Sequence, residues 1–367
     1  MKIAVLTSSR ADYGIYLPLL NKIKNDDFFE LEIIAFGTHL SRSHGYTLKH
    51  IEEDKYNYIH KISCLISNDD EESIASSYGV TVLKFADFWQ IHKYDLVFCL
   101  GDRFEMSAAV QAGIPFGVKF AHLHGGEITL GAIDNIYRHQ ISLASTFHFT
   151  ATDIFAEKVS NLIDSSQNIF TTGSLSLNDI KSFIPIGRQM FFEKFDIPEE
   201  EFILVTFHPE TMSWQDNFQY AKEMKNALKE ISKNSFIIIT MPNADTQGSI
   251  YREAIEKLKR EVPDRILLIE NFGKANYFSA MYYASILVGN TSSGILEAAS
   301  FGKYVVNVGD RQKGRAQSKN VINCKFEEKA IVSSVSKAVE LEVYKGENIY
   351  FKLDAADNII KVIKEFS

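Results

Sequence analysis

The sequence predicts an α/β protein built from two Rossmann-like, doubly wound domains. Three observations predict this fold class: short apolar runs that alternate with helical patterns, a chain of 367 residues, and polar residues placed directly after the apolar runs. A chain of this length is long for one hydrophobic core and suits two domains. Runs that are apolar at every position are typical of parallel strands buried on both faces, and their alternation with helices is typical of βαβ units.

Two series of strands are predicted, one in each half of the chain. The strands are Ile3–Leu6, Leu31–Phe36, Asp95–Leu100, Val118–His122, Phe147–Thr150, Ile169–Thr172, Phe202–Phe207, Phe236–Thr240, Ile266–Ile269, Ile286–Val288 and Tyr304–Val308. Helices are predicted at Ser213–Ser232, Ser249–Glu261 and Ile295–Ser300, among others.

The domain boundary is predicted within Leu175–Pro198, where two prolines and a glycine separate the two series. This gives an N-terminal domain at residues 1–180 and a C-terminal domain at residues 181–350. Residues 351–367 hold a C-terminal helix that is a candidate to pack back on the first domain. Ligands of open α/β sheets bind beyond the carboxyl ends of the strands, so two such domains facing each other predict a central ligand cleft.

Composition and charge exclude several classes of protein. A formal charge of −8 argues against binding to a nucleic-acid backbone, which requires clustered cations. No stretch reaches the roughly 18 apolar residues of a membrane span, and the apolar start is too short for a signal peptide, so a cytoplasmic protein is expected. The three cysteines form no Cys-x-x-Cys pair, and Cys99, inside an apolar run, is predicted to be a buried core thiol.

Acidic residues follow neighbouring predicted strands of the first domain. Asp102 follows the strand that ends at Leu100, Glu127 follows two glycines, and Asp134 stands at the start of a helix. Plainer interpretations exist: Asp102 as a helix cap, and Asp134 as the ion-pair partner of Arg138 one turn later. Three carboxylates at the ends of consecutive βα units would share one pocket, where repulsion raises some pKa values and yields acids and bases near neutral pH.

Metal and dinucleotide cofactors are not predicted. His122 and His124 alternate, so one can face the core and the other a ligand, but without a further matching residue they are weak evidence for a metal. No G-x-G-x-x-G motif follows a strand, which argues against a nicotinamide or flavin dinucleotide. Arg10, where the first strand meets a helix, is a candidate phosphate ligand. A solvated loop arginine is the plainer interpretation.

An anion site is predicted in the second domain, where a strand runs into Gly289-Asn-Thr-Ser-Ser-Gly294. Backbone N–H groups and hydroxyls at a helix N-terminus suit a diphosphate, and Glu297, one turn later, suits a ribose diol. A well-capped helix without a ligand is the alternative. His208, at a strand end, is a candidate acid or phosphate ligand. Polar or basic residues that add to the same group are Asn243, Arg311, Lys313 and Arg315.

Eight short motifs, taken in order, resemble the hydrolysing branch of the UDP-N-acetylglucosamine 2-epimerase family. They are Ser9-Arg-Ala-Asp-Tyr13, Gly37-Thr-His-Leu-Ser41, Gly101-Asp-Arg-Phe-Glu105, His124-Gly-Gly-Glu127, Ile133-Asp-Asn-Ile-Tyr-Arg-His139, Thr206-Phe-His-Pro209, Pro242-Asn-Ala-Asp245 and Gly289-Asn-Thr-Ser-Ser-Gly294. Each motif is modest, but the ordered set spans most of the chain. The resemblance implies two domains around a central cleft, similar to B-type glycosyltransferases. It also implies a homodimer or homotetramer without a cofactor.

The resemblance also implies a reaction: removal of the C2 proton of a nucleotide sugar, anti elimination of the nucleoside diphosphate to a 2-acetamidoglycal, and addition of water. It implies that the acid–base carboxylates are Asp102, Glu127 and Asp134, with His208 assisting. The residues implied to bind the nucleotide-sugar substrate are Arg10, Tyr13, Arg103, His124, Arg138, Asn243, Thr291, Ser292, Ser293, Gly294, Glu297 and Arg311.

Several substrates and classes stay open. UDP-N-acetylglucosamine, giving N-acetylmannosamine for sialic acid biosynthesis, is the default substrate. UDP- or GDP-2,4-diacetamido-2,4,6-trideoxyglucose, of the legionaminic acid pathway, is the alternative. The segment Ser292-Ser-Gly-Ile-Leu-Glu297 departs from the Ser-Gly-Gly-x-Gln-Glu-Glu pattern of the non-hydrolysing branch. A glycosyltransferase of the same architecture, or a non-catalytic sugar-nucleotide sensor, would not need three carboxylates and a histidine.

Overall fold

The computed structural model describes residues 1–42, 45–66, 70–128, 133–210, 214–242 and 248–366. These residues divide into two compact units. Unit 1 contains Met1–Ile128, Ile133–Lys181 and Tyr350–Ser367, and unit 2 contains Ser182–Ile349. The chain therefore passes from unit 1 to unit 2 and returns to unit 1 for its last helix.

Unit 1 is a seven-stranded parallel sheet covered by helices on both faces. Its strands are β1 (Lys2–Thr7), β2 (Glu30–Phe36), β3 (Tyr58–Ile62), β4 (Leu96–Leu100), β5 (Phe120–Leu123), β6 (Phe147–Thr150) and β7 (Ile169–Thr171), in the spatial order β3-β2-β1-β4-β5-β6-β7. Its helices are α1 (Arg10–Lys24), α2 (Leu48–Glu53), α3 (Glu71–Ile91), α4 (Phe104–Gly113), α5 (Asp134–Leu143), α6 (Asp153–Ile163) and α13 (Ala355–Glu365).

Unit 2 repeats this plan with six parallel strands. They are β8 (Phe202–Thr206), β9 (Phe236–Thr240), β10 (Ile266–Ile269), β11 (Leu287–Gly289), β12 (Val305–Val308) and β13 (Val321–Cys324), in the order β10-β9-β8-β11-β12-β13. Its helices are α7 (Arg188–Lys194), α8 (Asn217–Ile231), α9 (Gly248–Glu261), α10 (Lys274–Tyr283), α11 (Ser292–Leu296) and α12 (Glu328–Val339).

The strands are apolar throughout because each sheet carries a core on both faces. In β1, Ile3 and Val5 pack in a core with α1 and α13, while Ala4 and Leu6 pack on the opposite face. Successive strand residues point to opposite faces, so both sets must be apolar. The helix α13 belongs to the first of these cores.

The structure contains two strands that are not predicted from the sequence, β3 and β13. Both lie at the edge of a sheet, and their residues are partly exposed, so they carry polar side chains such as those in Tyr-Ile-His-Lys-Ile. The predicted helix Ile295–Ser300 is also wrong in its bounds. The helix α11 begins at Ser292, with Thr291 as its N-cap, and a 3₁₀ turn follows at Ala298–Phe301.

Cys99 is fully buried in β4, as predicted, and burial raises its pKa to about 12. Among the described residues, no helix combines the length and the apolar character that crossing a membrane requires.

Candidate active site

The loop after β1 is fixed by Asp12, a residue that is not among the site residues predicted from the sequence. Its buried carboxylate accepts hydrogen bonds from the backbone N–H groups of Ser8, Ser9 and Tyr13 at 2.8–2.9 Å. The hydroxyl of Thr7 donates to it at 3.0 Å. Ser9 and Asp12 form a capping box at the start of α1, and this Ser-x-x-Asp spacing is the pattern by which the sequence could have identified Asp12. The loop lies where β1 and β4 are neighbours, which is where ligands bind in doubly wound sheets.

Two residues predicted to bind substrate behave differently in this loop. Arg10 is exposed at the first residue of α1. Tyr13 is only 5% exposed, and its hydroxyl contacts Asp54 and, at 3.1 Å, the hydroxyl of Tyr56. The apolar ring packs in the core, and the substrate-binding role expected of Tyr13 stays a prediction.

Arg138 gathers the residues that follow β4 and β5. Its Nη2 donates to Asp102, its Nη1 donates to the backbone oxygen of His124 at 2.6 Å, and Nη1 lies 4.0 Å from Glu127 Oε2. The Arg138 side chain is 4% exposed, and a buried cation requires such anionic partners. This arrangement corrects the two plainer interpretations. Arg138 pairs with Asp102 rather than with Asp134, and α4 has no side-chain cap from Asp102.

His124 and Glu127 form a close pair in the turn after β5. The distance from His124 Nδ1 to Glu127 Oε1 is 2.7 Å, and both side chains are nearly buried. Gly126 allows this turn, because its φ is +78° and a Cβ there would lie 2.4 Å from the backbone oxygen of Phe155. The neighbouring His122 is buried between Ser142 Oγ and the Gly101 oxygen, and burial lowers its pKa to about 3. His122 is therefore a neutral structural residue.

Asp134 and Arg103 complete the group around Arg138. We call this group, Asp102, Arg103, His124, Glu127, Asp134 and Arg138, the strand-end site of unit 1. Asp134 is the first residue of α5, and loss of hydration, followed by the negative charge of Asp102, raises its pKa. This is the direction that the sequence predicts for clustered carboxylates. The guanidinium of Arg103 bonds the buried carboxylate of Glu105 at 2.8 Å, so Arg103 is held by a residue of its own loop.

In unit 2, Asn290 joins the loops that follow β8 and β11. Its side chain accepts from the backbone N–H of His208 at 2.7 Å and donates to the His208 oxygen at 2.9 Å. Gly289 makes this possible, since its φ is +142° and a Cβ would lie 1.8 Å from the Thr206 oxygen. Asn290 is fully buried, and the sequence does not single it out, although the glycine-flanked motif contains it.

The loop after β12 attaches to the same point. Arg311 Nη1 donates to the backbone oxygen of Asn290 at 3.3 Å, and the side chain of Gln312 donates to the same backbone oxygen at 2.9 Å. The Glu210 carboxylate accepts from the backbone N–H of Arg311 at 3.2 Å, and burial raises its pKa. The structure thus brings His208 and Arg311 together around Asn290, and we call this group the strand-end site of unit 2. Glu210 is a further member that was not predicted from the sequence.

The small residues that open α11 serve local structure in part. Thr291 Oγ1 accepts from the Ser293 N–H at 3.4 Å, and Ser293 Oγ donates to Glu297, whose pKa is raised by burial. The Glu297 carboxylate thus has one intramolecular partner, and its role toward a ribose stays a prediction. Gly294 packs closely against β12, because a Cβ there would lie 2.9 Å from Val305 Cγ1, and its contact with a substrate stays a prediction. Ser292 is partly exposed, and Asn243 lies outside the described residues.

One group of described residues has the spacing for a metal ion, although the sequence predicts no metal site. The possible ligand atoms of Glu32, His60 and His92 lie within 4.8 Å of one another. Glu32 already binds Lys2 at 2.9 Å and Tyr94 at 2.6 Å, and it lies toward the amino end of β2. We therefore treat this group as an ion-pair cluster of the fold.

Comparison with known proteins identifies the family. The family model described as UDP-N-acetylglucosamine 2-epimerase matches residues 21–364. The chain belongs to the UDP-N-acetylglucosamine 2-epimerase family. A relative from Campylobacter jejuni, named GDP/UDP-N,N'-diacetylbacillosamine 2-epimerase (hydrolyzing), is 34% identical over 88% of this chain and 84% of its own. A relative from Legionella pneumophila, named UDP-N,N'-diacetylbacillosamine 2-epimerase (hydrolyzing), is 31% identical over 99% of this chain and 95% of its own.

Solved structures show the same fold in this epimerase family. The crystal structure of UDP-GlcNAc 2-epimerase from Neisseria meningitidis, bound to UDP-GlcNAc, superposes with a TM-score of 0.82 at 17% identity, covering 100% of both chains. The predicted family and the predicted class of two parallel-sheet α/β domains are both confirmed. The chain is thus an epimerase by family.

Proposed function

We propose that this epimerase acts by hydrolysis: a nucleotide-activated 2-acetamido sugar and water give the free 2-epimer and a nucleoside diphosphate. The observation that supports this proposal is the group of Asp102, Glu127 and His124 around Arg138. Such a group of carboxylates and an imidazole, paired and mostly shielded from water, is suited to proton transfer. A protein that only binds a sugar nucleotide has no need of it.

The reaction needs acid–base groups on two faces of the sugar. The C2–H bond is a weak acid, so a base must be placed close to it in a site with little water. As the proton leaves, its electron pair forms the C1–C2 double bond, and the C1–O bond breaks with its pair on the diphosphate. Water oxygen then adds to C1 and loses a proton to a basic group, while a protonated group on the opposite face returns a proton to C2. Asp102, Asp134 and the His124–Glu127 pair are the groups of unit 1 assigned to these transfers.

We assign binding of the nucleoside diphosphate to the strand-end site of unit 2. A leaving diphosphate is stabilised by fixed hydrogen-bond donors and cations. The hydroxyls of Thr291 and Ser292 precede α11, and Arg311 is held nearby through Asn290. The backbone of His208 is attached to the same asparagine, and we assign His208 an assisting role.

As the first candidate for the sugar we propose 2,4-diacetamido-2,4,6-trideoxyglucose (N,N'-diacetylbacillosamine), linked to UDP or GDP. Support comes from the names of the Campylobacter and Legionella relatives, whose alignments cover most of both chains. UDP-N-acetylglucosamine, with N-acetylmannosamine as product, is the second candidate. It is favoured by the family model and by the short motifs of the sequence.

The test is proton NMR of the purified protein with each nucleotide sugar in deuterated water. We expect release of the nucleoside diphosphate together with a free 2-epimer that carries deuterium at C2, fastest with a diacetamido substrate. An epimerised sugar still attached to its nucleotide would contradict hydrolysis. Inactivity with UDP- and GDP-linked diacetamido sugars and with UDP-N-acetylglucosamine would overturn the proposed function.

A further inference from the structure

His124 is held in an uncommon backbone conformation at the end of β5. Its φ is +63°, in the left-handed region that a residue with a side chain seldom adopts. Contacts on both sides hold it there: its N–H donates to the Phe149 oxygen at 3.0 Å, and its oxygen accepts from Arg138 at 2.6 Å. Strained conformations that the surroundings enforce in this way concentrate at functional sites.

The pair with Glu127 determines which ring nitrogen carries the proton. Arg138 Nη1 lies 4.0 Å from Glu127 Oε2 and favours the ionised carboxylate. An ionised carboxylate can only accept a hydrogen bond, so His124 Nδ1 must be the donor in the 2.7 Å contact. In neutral His124 this leaves Nε2 as a proton acceptor.

Nε2 of His124 has no hydrogen-bond partner among the described residues, although it is buried and the residue is only 8% exposed. Leaving a buried nitrogen without a partner destabilises the folded protein, so the retention of this one calls for an explanation. The charged groups around it are Glu127 and Arg138, with Asp102 beyond the guanidinium and neutral His122 on the same strand. Nothing in this set supplies a partner for Nε2, and a ligand would.

We propose that His124 is a catalytic residue of the epimerase, that its Nε2 accepts the C2 proton, and that Glu127 acts through it as a positioning residue. This inference rests on the proposed function and changes the role expected for Glu127. Nε2 takes the proton, the C–H electron pair forms the C1–C2 double bond, and the diphosphate leaves with the C1–O pair. The resulting imidazolium is stabilised by the Glu127 carboxylate, as in other carboxylate–histidine pairs.

The protonation state can be tested without substrate by NMR of the protein labelled with ¹⁵N-histidine. At a pH where His124 is neutral, we expect its hydrogen on Nδ1 and an unprotonated Nε2. Glu127→Gln should weaken the preference for hydrogen on Nδ1, because it replaces a group that can only accept a hydrogen bond. A neutral His124 protonated on Nε2 would overturn the proposal. This result is independent of whether any nucleotide sugar is turned over.

The catalytic role is tested with the substrate that the wild-type protein turns over. His124→Gly keeps the left-handed backbone at low cost and leaves a space of imidazole size. We expect kcat to fall by about 10²–10⁴-fold, with at least part of the loss recovered by added imidazole. Glu127→Gln should lower kcat and move the acid limb of the kcat/KM profile to lower pH. His50→Asn replaces a partly exposed histidine on helix α2 and is the matched control. It should leave kcat near the wild-type value.

The double variant His124→Gly/Glu127→Gln separates the two roles of Glu127. If Glu127 acts through His124, the second substitution adds little to the first. A folded His124→Gly protein that keeps activity within about threefold of wild type, or a full additional loss in the double variant, would overturn the proposal. Both results presuppose an active wild-type enzyme, so they are distinct from failure of the proposed function.

Discussion

The two units share one strand order but carry different chemistry at their strand ends. The order β3-β2-β1-β4-β5-β6 in unit 1 is repeated as β10-β9-β8-β11-β12-β13 in unit 2. In unit 1 the loops after β4 and β5 hold Asp102 and Glu127 around the buried cation Arg138. In unit 2 the side chain at the strand ends is the neutral amide of Asn290, which joins the loop after β11 to the loop after β8.

Under the proposed function, this difference lets one scaffold serve two functions. Charged groups in a poorly hydrated place interact strongly, so the strand-end site of unit 1 can change the affinity of its groups for protons. A buried amide with satisfied hydrogen bonds holds loops in place without adding charge, which leaves unit 2 free to present hydroxyls and Arg311 to an anion. On this account, unit 1 transfers protons and unit 2 binds the nucleotide.

The largest expected effect comes from Arg138→Met, which leaves Asp102 and Glu127 without their buried cation. We expect a loss of about 3–5 kcal/mol in the free energy of unfolding, measured with urea, because the carboxylates would remain unpaired. Arg252→Met in unit 2, which breaks an exposed pair with Glu270, should cost under about 1 kcal/mol. Equal losses in the two variants would contradict the view that unit 1 depends on buried charge.

Asp102→Asn should lower kcat by about 10²–10⁴-fold in the NMR assay, because it removes a charge from the proton-transfer group. The fold should persist, as judged by circular dichroism. Asp357→Asn, which removes an exposed carboxylate paired with Lys22 in the same unit, is the matched control and should leave kcat near the wild-type value. An Asp102→Asn protein with full activity would remove this carboxylate from the mechanism.

Glu32 is a buried charge that we expect to stabilise the fold without taking part in the reaction. Burial alone would raise its pKa, but hydrogen bonds from Tyr94, Lys2 and His60 outweigh burial and lower the pKa to about 2. A lowered folded-state pKa stabilises the protein above the unfolded value near 4.5, and this contribution is lost as pH falls toward 2.

We therefore expect Glu32→Gln to reduce the free energy of unfolding by about 3 kcal/mol at pH 7, with the difference from wild type shrinking below pH 4.5. The measurement is urea unfolding at several pH values. Because the cluster lies toward the amino end of β2, kcat should stay close to that of wild type. A constant difference in stability at all pH values would show that the charge of Glu32 is not what stabilises the fold.

The smallest effect is expected from Asn290→Ala. It leaves the backbone N–H and oxygen of His208 without the side chain that satisfies them, at a cost of about 2 kcal/mol in unfolding free energy. We expect KM for the nucleotide sugar to rise more than kcat falls. Asn323→Ala, at an exposed position of β13, is the control. A fall in kcat alone would place Asn290 with the proton-transfer group instead.

Much of the fold follows from the sequence because both faces of each central strand are buried. That burial makes runs such as Ile3–Leu6 and Phe202–Phe207 apolar at every position, and such runs are easily found. The edge strands β3 and β13 have one side open to solvent, so polar residues interrupt their patterns. The positions of Asp102 and Glu127 after strands also follow from the sequence.

The pairings within the site do not follow from the sequence. Helical spacing favours a bond between Arg138 and Asp134, but the structure joins Arg138 to Asp102, 36 positions away in the chain. The contact of His124 with Glu127 depends on a left-handed residue and a close approach of Gly126 to α6. Sequence spacing cannot anticipate such contacts, because they are determined by tertiary packing.

The most direct test of the division between the two units is calorimetric titration of UDP and GDP into the Asp102→Asn protein. The account predicts a Kd within about threefold of wild type, since the charge that is removed serves proton transfer. The same titration of Asn290→Ala should give a Kd weaker by about tenfold, a difference of about 1.4 kcal/mol. Loss of nucleotide binding in Asp102→Asn, with normal binding in Asn290→Ala, would contradict the division.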